Sequence, residues 1–279
     1  MKVLVTGAAG QVGRAMVHRC TTAGDDVVAA GRATLDITDR DAVLAAVTTL
    51  RPDVVVNPAA YTDVDGCERD PDRAFAANTL AVRHLAEACR RAGSHLVHIS
   101  TDYVFDGRKG APYVEWDDTG PLSVYARSKL AGEHEAGPDA TVVRTAWVFS
   151  RGPGNFVRAV LDRAASGEPL RFIEDQLGTP TLADDLAVVL RPLAAARMPG
   201  LFHATNGGET TRYEQARHVL AAAGMDRDRV EAITSDQLSW VAARPAATVL
   251  DNAALRLSGV PALRHHTEAI EEVVKELNR

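Results

Sequence analysis

Apolar residues along the chain fall into two alternating kinds of run. Short unbroken stretches, Lys2-Val-Leu-Val-Thr6, Asp26-Val-Val-Ala-Ala30 and Asp53-Val-Val-Val-Asn57, each stop at glycine or proline. Between them, Gln11 to Ala23 and Asp39 to Leu50 carry apolar positions at helical spacing, the second with Asp39 or Thr38 as its cap. Pro71 to Ala92 reads as one long helix, proline in its first turn and Gly93 just past its end. His95 to Ile99 and Ala140 to Arg144 supply two more strands, with a helix from about Val124 to Ala136 between them. Unbroken rather than alternating runs mark strands covered on both faces, as in a parallel sheet. Strands interleaved with helices of this length predict an α/β fold with a doubly wound, Rossmann-like parallel sheet.

The second half is less regular. Asn155 to Ala165 and Leu182 to Ala195 read as helices and Gly200 to Ala204 as a strand. Glu268 to Leu277 closes the chain with a core-facing stripe of Ile270, Val273, Val274 and Leu277. The expected division is a cofactor-binding domain over 1–150 plus about 178–204. A smaller C-terminal substrate-binding lobe takes about 151–177 and 205–279.

Composition narrows the function without naming it. The 279 residues are 46% hydrophobic and 24% charged, with a formal net charge of −6, so neither nucleic acid nor an anionic membrane is an expected partner. An anionic substrate must be met by local cations. Cys20, Cys67 and Cys89 are scattered and odd in number, which fits a reducing compartment. No secretory leader pattern and no spanning apolar stretch are present, so a cytoplasmic protein is expected. The nine histidines form no metal-spaced cluster, His265-His266 reads as surface, and no GxSxG elbow occurs.

The first chemical signal is Gly7-Ala-Ala-Gly10-Gln-Val-Gly13, between a strand and a helix. Glycines there let the backbone turn tightly against a pyrophosphate, which meets the positive end of the helix. The spacing is GxxGxxG rather than GxGxxG. At the end of the second strand, Gly31-Arg32 offers a cation to the 2′-phosphate of NADP where an acid would favour NAD. NADPH is therefore the expected cofactor and NADH the alternative; Asp36-Ile37 should lie near the adenine.

The second signal is Tyr125-Ala-Arg-Ser-Lys129. Residues four apart on a helix share a face, so phenol and ammonium can serve one site. A free phenol ionises near about pH 10, and a nearby cation stabilises the phenolate. Tyr125 could then act as general acid as hydride reaches a carbonyl carbon, with Lys129 holding the nicotinamide ribose. The preceding strand ends in Ser100-Thr101-Asp102, at the sheet edge where open α/β folds bind ligands. Either Ser100 or Thr101 can hydrogen-bond the carbonyl, with the other facing the core.

With these pieces together the chain resembles the extended short-chain dehydrogenase/reductases and, within them, the dTDP-4-dehydrorhamnose reductase family. The likeness runs through GAAGQVG, Asp53-VVVNPAAYTDVDGCE68, Ser100-TDYVFDG107, Pro121-LSVYARSKLAGE133, Arg144-TAWVF149, Asp175-QLGTPT181 and Arg244-PAATVLDN252. It implies a nucleotide-sugar substrate, NADPH-dependent reduction of the C4 keto group of dTDP-4-dehydro-L-rhamnose, and allows a homodimer. It assigns catalysis to Thr101, Tyr125 and Lys129. Cofactor contacts fall on Gly10, Gln11 and Val12, on Asp36 and Ile37, and on Ala60, Tyr61 and Thr62. Thr101, Asp102, Tyr125 and Trp147 lie near the sugar, and Asn155, Gln176 and Gly178 fall where the family builds its substrate lobe.

Trp147 can lay its ring on the sugar's apolar face or simply pack in the core. Arg144 and Arg244 can meet the pyrophosphate or form structural ion pairs. Two departures stand out. Some members are magnesium-bridged dimers through a glutamate where this chain has Ala15, so neither the metal nor that dimer is carried over; and Pro58 stands where a small apolar residue is usual. Dehydratases of the superfamily carry Thr-Asp-Glu where this chain has Thr101-Asp102-Tyr103. That favours a reductase, with an epimerase, another keto-sugar reductase or a non-catalytic NADP-binding subunit, like that of methionine adenosyltransferase, as alternatives.

Overall fold

The computed structural model describes residues 1–152 and 154–277. Its elements follow in order: β1 (Lys2–Val5), α1 (Gln11–Thr22), β2 (Asp26–Ala29), α2 (Arg40–Leu50), β3 (Val54–Asn57), α3 (Val64–Arg69), α4 (Pro71–Phe75), a π turn (Ala76–Leu80), α5 (Ala81–Ala92), β4 (His95–Thr101), α6 (Val124–Ala136) and β5 (Thr141–Thr145). The second half adds β6 (Val148–Phe149), α7 (Phe156–Ser166), β7 (Leu170–Ile173), β8 (Leu177–Gly178), β9 (Thr181–Leu182), α8 (Ala183–Ala195) and β10 (Gly200–His203). It ends with β11 (Thr210–Thr211), α9 (Arg212–Ala222), β12 (Val230–Ile233), α10 (Ala253–Leu257) and α11 (His266–Leu277).

Six strands form one parallel sheet in the order β10-β5-β4-β3-β1-β2. Period-2 alternation sends Val3 and Val5 to one face, under α1 and α8, and Leu4 to the other, under α2 and α5. β2 lies on one side of β1 and β3 on the other, so α1 and α2 cover opposite faces and a crevice opens at the strands' carboxyl ends. The expected doubly wound sheet is what the chain forms. A third apolar cluster, built from α7, α9, α11 and the short strands, includes Phe149, Val160, Leu220, Ile270 and Val273.

Local chemistry sets the helix ends. Asp39 accepts from Ala42 N at 3.0 Å as the cap of α2, a contact that contributes about 1 kcal/mol. The predicted helix over 71–92 is interrupted: five residues wind as a π turn, with Asn78 at their centre. Gly132 of α6 makes room for it, since a Cβ there would stand 2.1 Å from the Asn78 carbonyl oxygen. His266 departs from the surface reading. It is buried at the start of α11 with His218 and His265 beside it, and burial pulls its imidazole down to about 4. No helix among the described residues is long and apolar enough to cross a membrane, and Cys20, Cys67 and Cys89 are all free and buried.

Candidate active site

A cleft of about 790 Å³ opens at the carboxyl edge of the sheet. One end is the glycine loop. Gly7 has φ +54°, and a Cβ there would meet Ala59 at 2.8 Å; one on Gly13 would strike the Gly7 carbonyl oxygen at 2.2 Å. Any side chain would thus push the loop off the β3 end. Gly10 begins α1 with no side-chain cap and no acidic residue follows in the first turn. The free N–H groups and the helix dipole are left for an anion. Gln11 Oε1 is buried without a partner.

Arg32, Asp36 and Ile37 line the next stretch of wall. Arg32 is largely exposed and reaches Asp36 at 3.9 Å. Hydrogen bonds from Thr38 N and Oγ1 hold the Asp36 carboxyl below its usual range. Opposite them, Asn78 of the π turn clamps Tyr61 by both backbone atoms. It accepts from Tyr61 N at 2.8 Å and donates to Tyr61 O at 3.0 Å. Tyr61 also carries Arg73 over its ring at 4.2 Å. Ala60 and Thr62 complete that wall.

The middle of the cleft holds Thr101, Tyr125 and Lys129. Ser123 caps α6 by accepting from Ala126 N, and the helix then presents Tyr125 and Lys129 on one face. Burial pushes the Tyr125 phenol above its ordinary value, opposed by the Thr101 hydroxyl beside it. Burial also pulls the Lys129 ammonium down to about 8, with Glu133 opposing. Lys129 Nζ donates to Ile99 O at 2.6 Å. Of the two hydroxyls at the end of β4, Ser100 turns away and donates to Glu133 at 2.5 Å. Thr101 faces the phenol.

At the far end of the cleft Thr101 donates to Asp102 Oδ1 at 3.0 Å, and Thr248 donates to Oδ2. Asp102 is 3% exposed, and burial pushes it up to about 6. Trp147 lines the cleft with a φ of +44°, unusual for a bulky residue. Two neighbours hold it there. The Arg212 guanidinium lies 3.9 Å from the Trp147 ring centre and 4.8 Å from that of Phe156. Gly178 faces the ring so closely that a Cβ would be 2.5 Å away.

Every predicted cofactor and catalytic residue, together with Asp102 and Trp147, lines this cleft. Asn155 does not. Its Oδ1 caps α7 by accepting from Arg158 N at 3.1 Å and its amide donates to Gly152 O, so both ends are used as helix architecture. Arg144 is a structural cation too. It forks onto Glu133 at 2.9 and 2.7 Å, buried, with Phe105 beneath it. Arg244 pairs with Asp65 at 3.0 Å and covers Trp240. Arg212 and Thr248 were missed by sequence reasoning. Thr248 lay inside the recognised Arg244–Asn252 stretch; Arg212 begins a helix that no motif flagged.

Comparison with known proteins agrees with this geometry. The chain matches the family described as RmlD substrate binding domain over residues 1–279. It is 41% identical to dTDP-4-dehydrorhamnose reductase of Mycolicibacterium smegmatis, covering 98% of this chain and 85% of that one. It is 40% identical to dTDP-4-keto-6-deoxy-D-glucose reductase of Streptomyces niveus, covering 99% and 97%. The crystal structure of dTDP-4-dehydrorhamnose reductase from Bacillus anthracis in complex with NADP superposes with a TM-score of 0.94 at 31% identity, over 99% of this chain and all of that one. From the glycine cradle to the C-terminal helix, the chain belongs to the RmlD family of sugar-nucleotide reductases within the extended short-chain dehydrogenase/reductases.

Proposed function

We propose that this protein reduces the C4 keto group of dTDP-4-dehydro-L-rhamnose to dTDP-L-rhamnose with NADPH. The observation that carries the reading is one cleft in which a glycine cradle at a helix start leads directly to Thr101, Tyr125 and Lys129. The cradle's unfilled N–H groups fit a dinucleotide pyrophosphate, and the unpartnered Gln11 Oε1 fits a hydroxyl or amide donor elsewhere on the cofactor. Arg32, exposed on the cleft wall, supports the reading of a 2′-phosphate partner there. Asp36, held as carboxylate on the same wall, is the feature that favours NADH as a second cofactor.

Bound NADPH supplies the hydride. Tyr125 gives its proton to the C4 oxygen as charge develops there, and Thr101 orients that oxygen by hydrogen bonding. Lys129 holds the ribose hydroxyls and, as a cation, makes the phenol a stronger acid than burial alone allows. Trp147 supports the sugar ring, with Arg212 and Gly178 fixing its angle. The lobe around α7, α9 and α11 receives the nucleotide end of the substrate, and the enzyme works in the cytoplasm as a monomer or homodimer. The Streptomyces niveus relative's own name favours a related 4-keto-6-deoxy sugar as the second reading.

The test is NADPH oxidation, followed by absorbance, with dTDP-4-dehydro-L-rhamnose generated in a coupled reaction and the product identified. Turnover to dTDP-L-rhamnose is expected, and Tyr125→Phe should lower kcat by about a hundredfold or more while NADPH still binds. Turnover of only the 4-keto-6-deoxyglucose nucleotide would move the assignment to the second reading. Equal loss of turnover and NADPH binding in Tyr125→Phe would make the residue structural.

A further inference from the structure

Beneath Lys129 runs a row of buried polar side chains that the reaction above does not use. Lys129 Nζ stands 3.4 Å from His98 Nε2. His98 Nδ1 is 3.2 Å from Asn57 Nδ2, and Asn57 Oδ1 is 2.6 Å from Thr6 Oγ1. Thr6, Asn57 and His98 are 1%, 0% and 0% exposed. The row crosses from α6 through β4 and β3 to β1 and ends inside the protein, so it offers no proton a way to solvent. Polar groups are costly to bury, and three in succession within an apolar sheet call for a purpose beyond packing.

The purpose follows from what each atom can donate. Burial and the Lys129 charge hold the His98 imidazole well below its usual pKa, so the ring is neutral, with one N–H and one lone pair. With Asn57 Nδ2 toward the ring, His98 must accept at Nδ1 and carries its proton on Nε2, an arrangement that suits a neutral amine on Lys129. Turning the Asn57 amide by half a rotation reverses this. Its oxygen then accepts from Nδ1–H, its NH2 group donates to Thr6 Oγ1, and Thr6 donates to Val56 O at 3.5 Å. The Nε2 lone pair is freed to accept from a Lys129 ammonium, which is the form the reaction requires.

We propose that His98 is a positioning residue that holds the Lys129 ammonium, with the Asn57 amide selecting which ring nitrogen carries the proton. The inference rests on the reading of Lys129 as part of the reductase site. Lys129 faces Tyr125 and Glu133 on its own helix, His98 from β4, and Asn57 of β3 behind His98. Asp102, Tyr103 and Cys67 bear on Tyr125 instead. Burial lowers Lys129 to about 8 and raises Tyr125, so the ammonium titrates first and sets the alkaline limb of turnover. Removing an acceptor of the charged form lowers it further, which moves that limb to lower pH.

The experiment compares His98→Gln with His98→Asn across pH, alongside Lys129→Met. Gln carries a carboxamide to the level of Nε2; Asn, of similar polarity, stops at the level of Nδ1. His98→Gln should stay within about threefold of wild-type kcat with its alkaline limb in place. His98→Asn should lose about tenfold in kcat, with the limb moved down by about one pH unit. In the free protein labelled with 15N-histidine, NMR should find the His98 proton on Nδ1 below pH 8. Identical limbs and kcat for Gln and Asn, or a ring proton on Nε2 throughout, would overturn the proposal. If Lys129→Met abolishes turnover while His98→Asn keeps both kcat and limb, this inference alone falls. If Lys129→Met retains turnover, the reading of the site itself falls.

Discussion

The two ends of the cleft are made of different material. The glycine-loop end, proposed for the cofactor, is backbone: glycines that turn, helix N–H groups left open, and a Tyr61 main chain clamped by Asn78. The Trp147 end, proposed for the sugar, is side chains from remote segments: Asp102 held by Thr248, and Trp147 wedged between Arg212 and Gly178. A backbone cradle depends on which residues lack a side chain. A side-chain wall depends on which residues meet after long loops close. The first should therefore fail through added bulk, and the second through lost contacts, each leaving the other end intact.

The largest separation should come from Gly7→Ala. A methyl 2.8 Å from Ala59, on a residue with φ +54°, adds strain of roughly 3 kcal/mol. That weakens NADPH binding about a hundredfold, measured by quenching of cofactor fluorescence, with dTDP binding by calorimetry held near wild type. A parallel loss of dTDP affinity would show the two ends to be one unit. Next comes Arg212→Lys, which keeps the charge and loses the planar stack on Trp147. KM for the keto-sugar should rise about tenfold with NADPH affinity unchanged. Arg144→Met supplies the contrast. Breaking its buried pair with Glu133 should cost about 3 kcal/mol in denaturant unfolding, with KM held; a raised KM would return Arg144 to the substrate.

A pH-dependent effect concerns Asp102. Folded, its carboxyl keeps a proton up to about pH 6; unfolded, it releases that proton near about pH 3.9. The folded state therefore binds more protons between those values, and the wild type loses stability relative to Asp102→Asn as pH rises through that window. The change should total at most about 3 kcal/mol and be complete by pH 7. Urea midpoints of the two proteins that keep a constant difference from pH 4 to 7 would place the carboxyl in an ordinary, solvated setting.

This contrast also explains what could be read ahead of the structure. The GxxGxxG loop and Tyr125/Lys129 are short-range patterns whose geometry is set within a few residues, and each lands on the cleft wall. The sheet was legible because its strands are unbroken apolar runs covered on both faces. Asn155 has two readings in the sequence because a carboxamide serves a helix cap as well as a sugar; the fold shows the first, with its Oδ1 accepting from Arg158 N. Arg212 and His98 carry no local signal. Their meaning lies in partners, Trp147 and Lys129, that are far off in the chain and brought near only by folding.

The π turn at Ala76–Leu80 has a bearing on how this molecule can change. A continuous α-helix ties all its faces to one phase, so a residue gained or lost near one end swings every later side chain by about 100°. The wide turn absorbs one residue of such phase. It lets Arg73, Ala76 and Ala77 look into the cleft while Val82, Leu85 and Cys89 stay locked against the sheet. The same span is therefore geared in two parts: the cleft wall can be retuned ahead of the turn while the core register behind it stays in step.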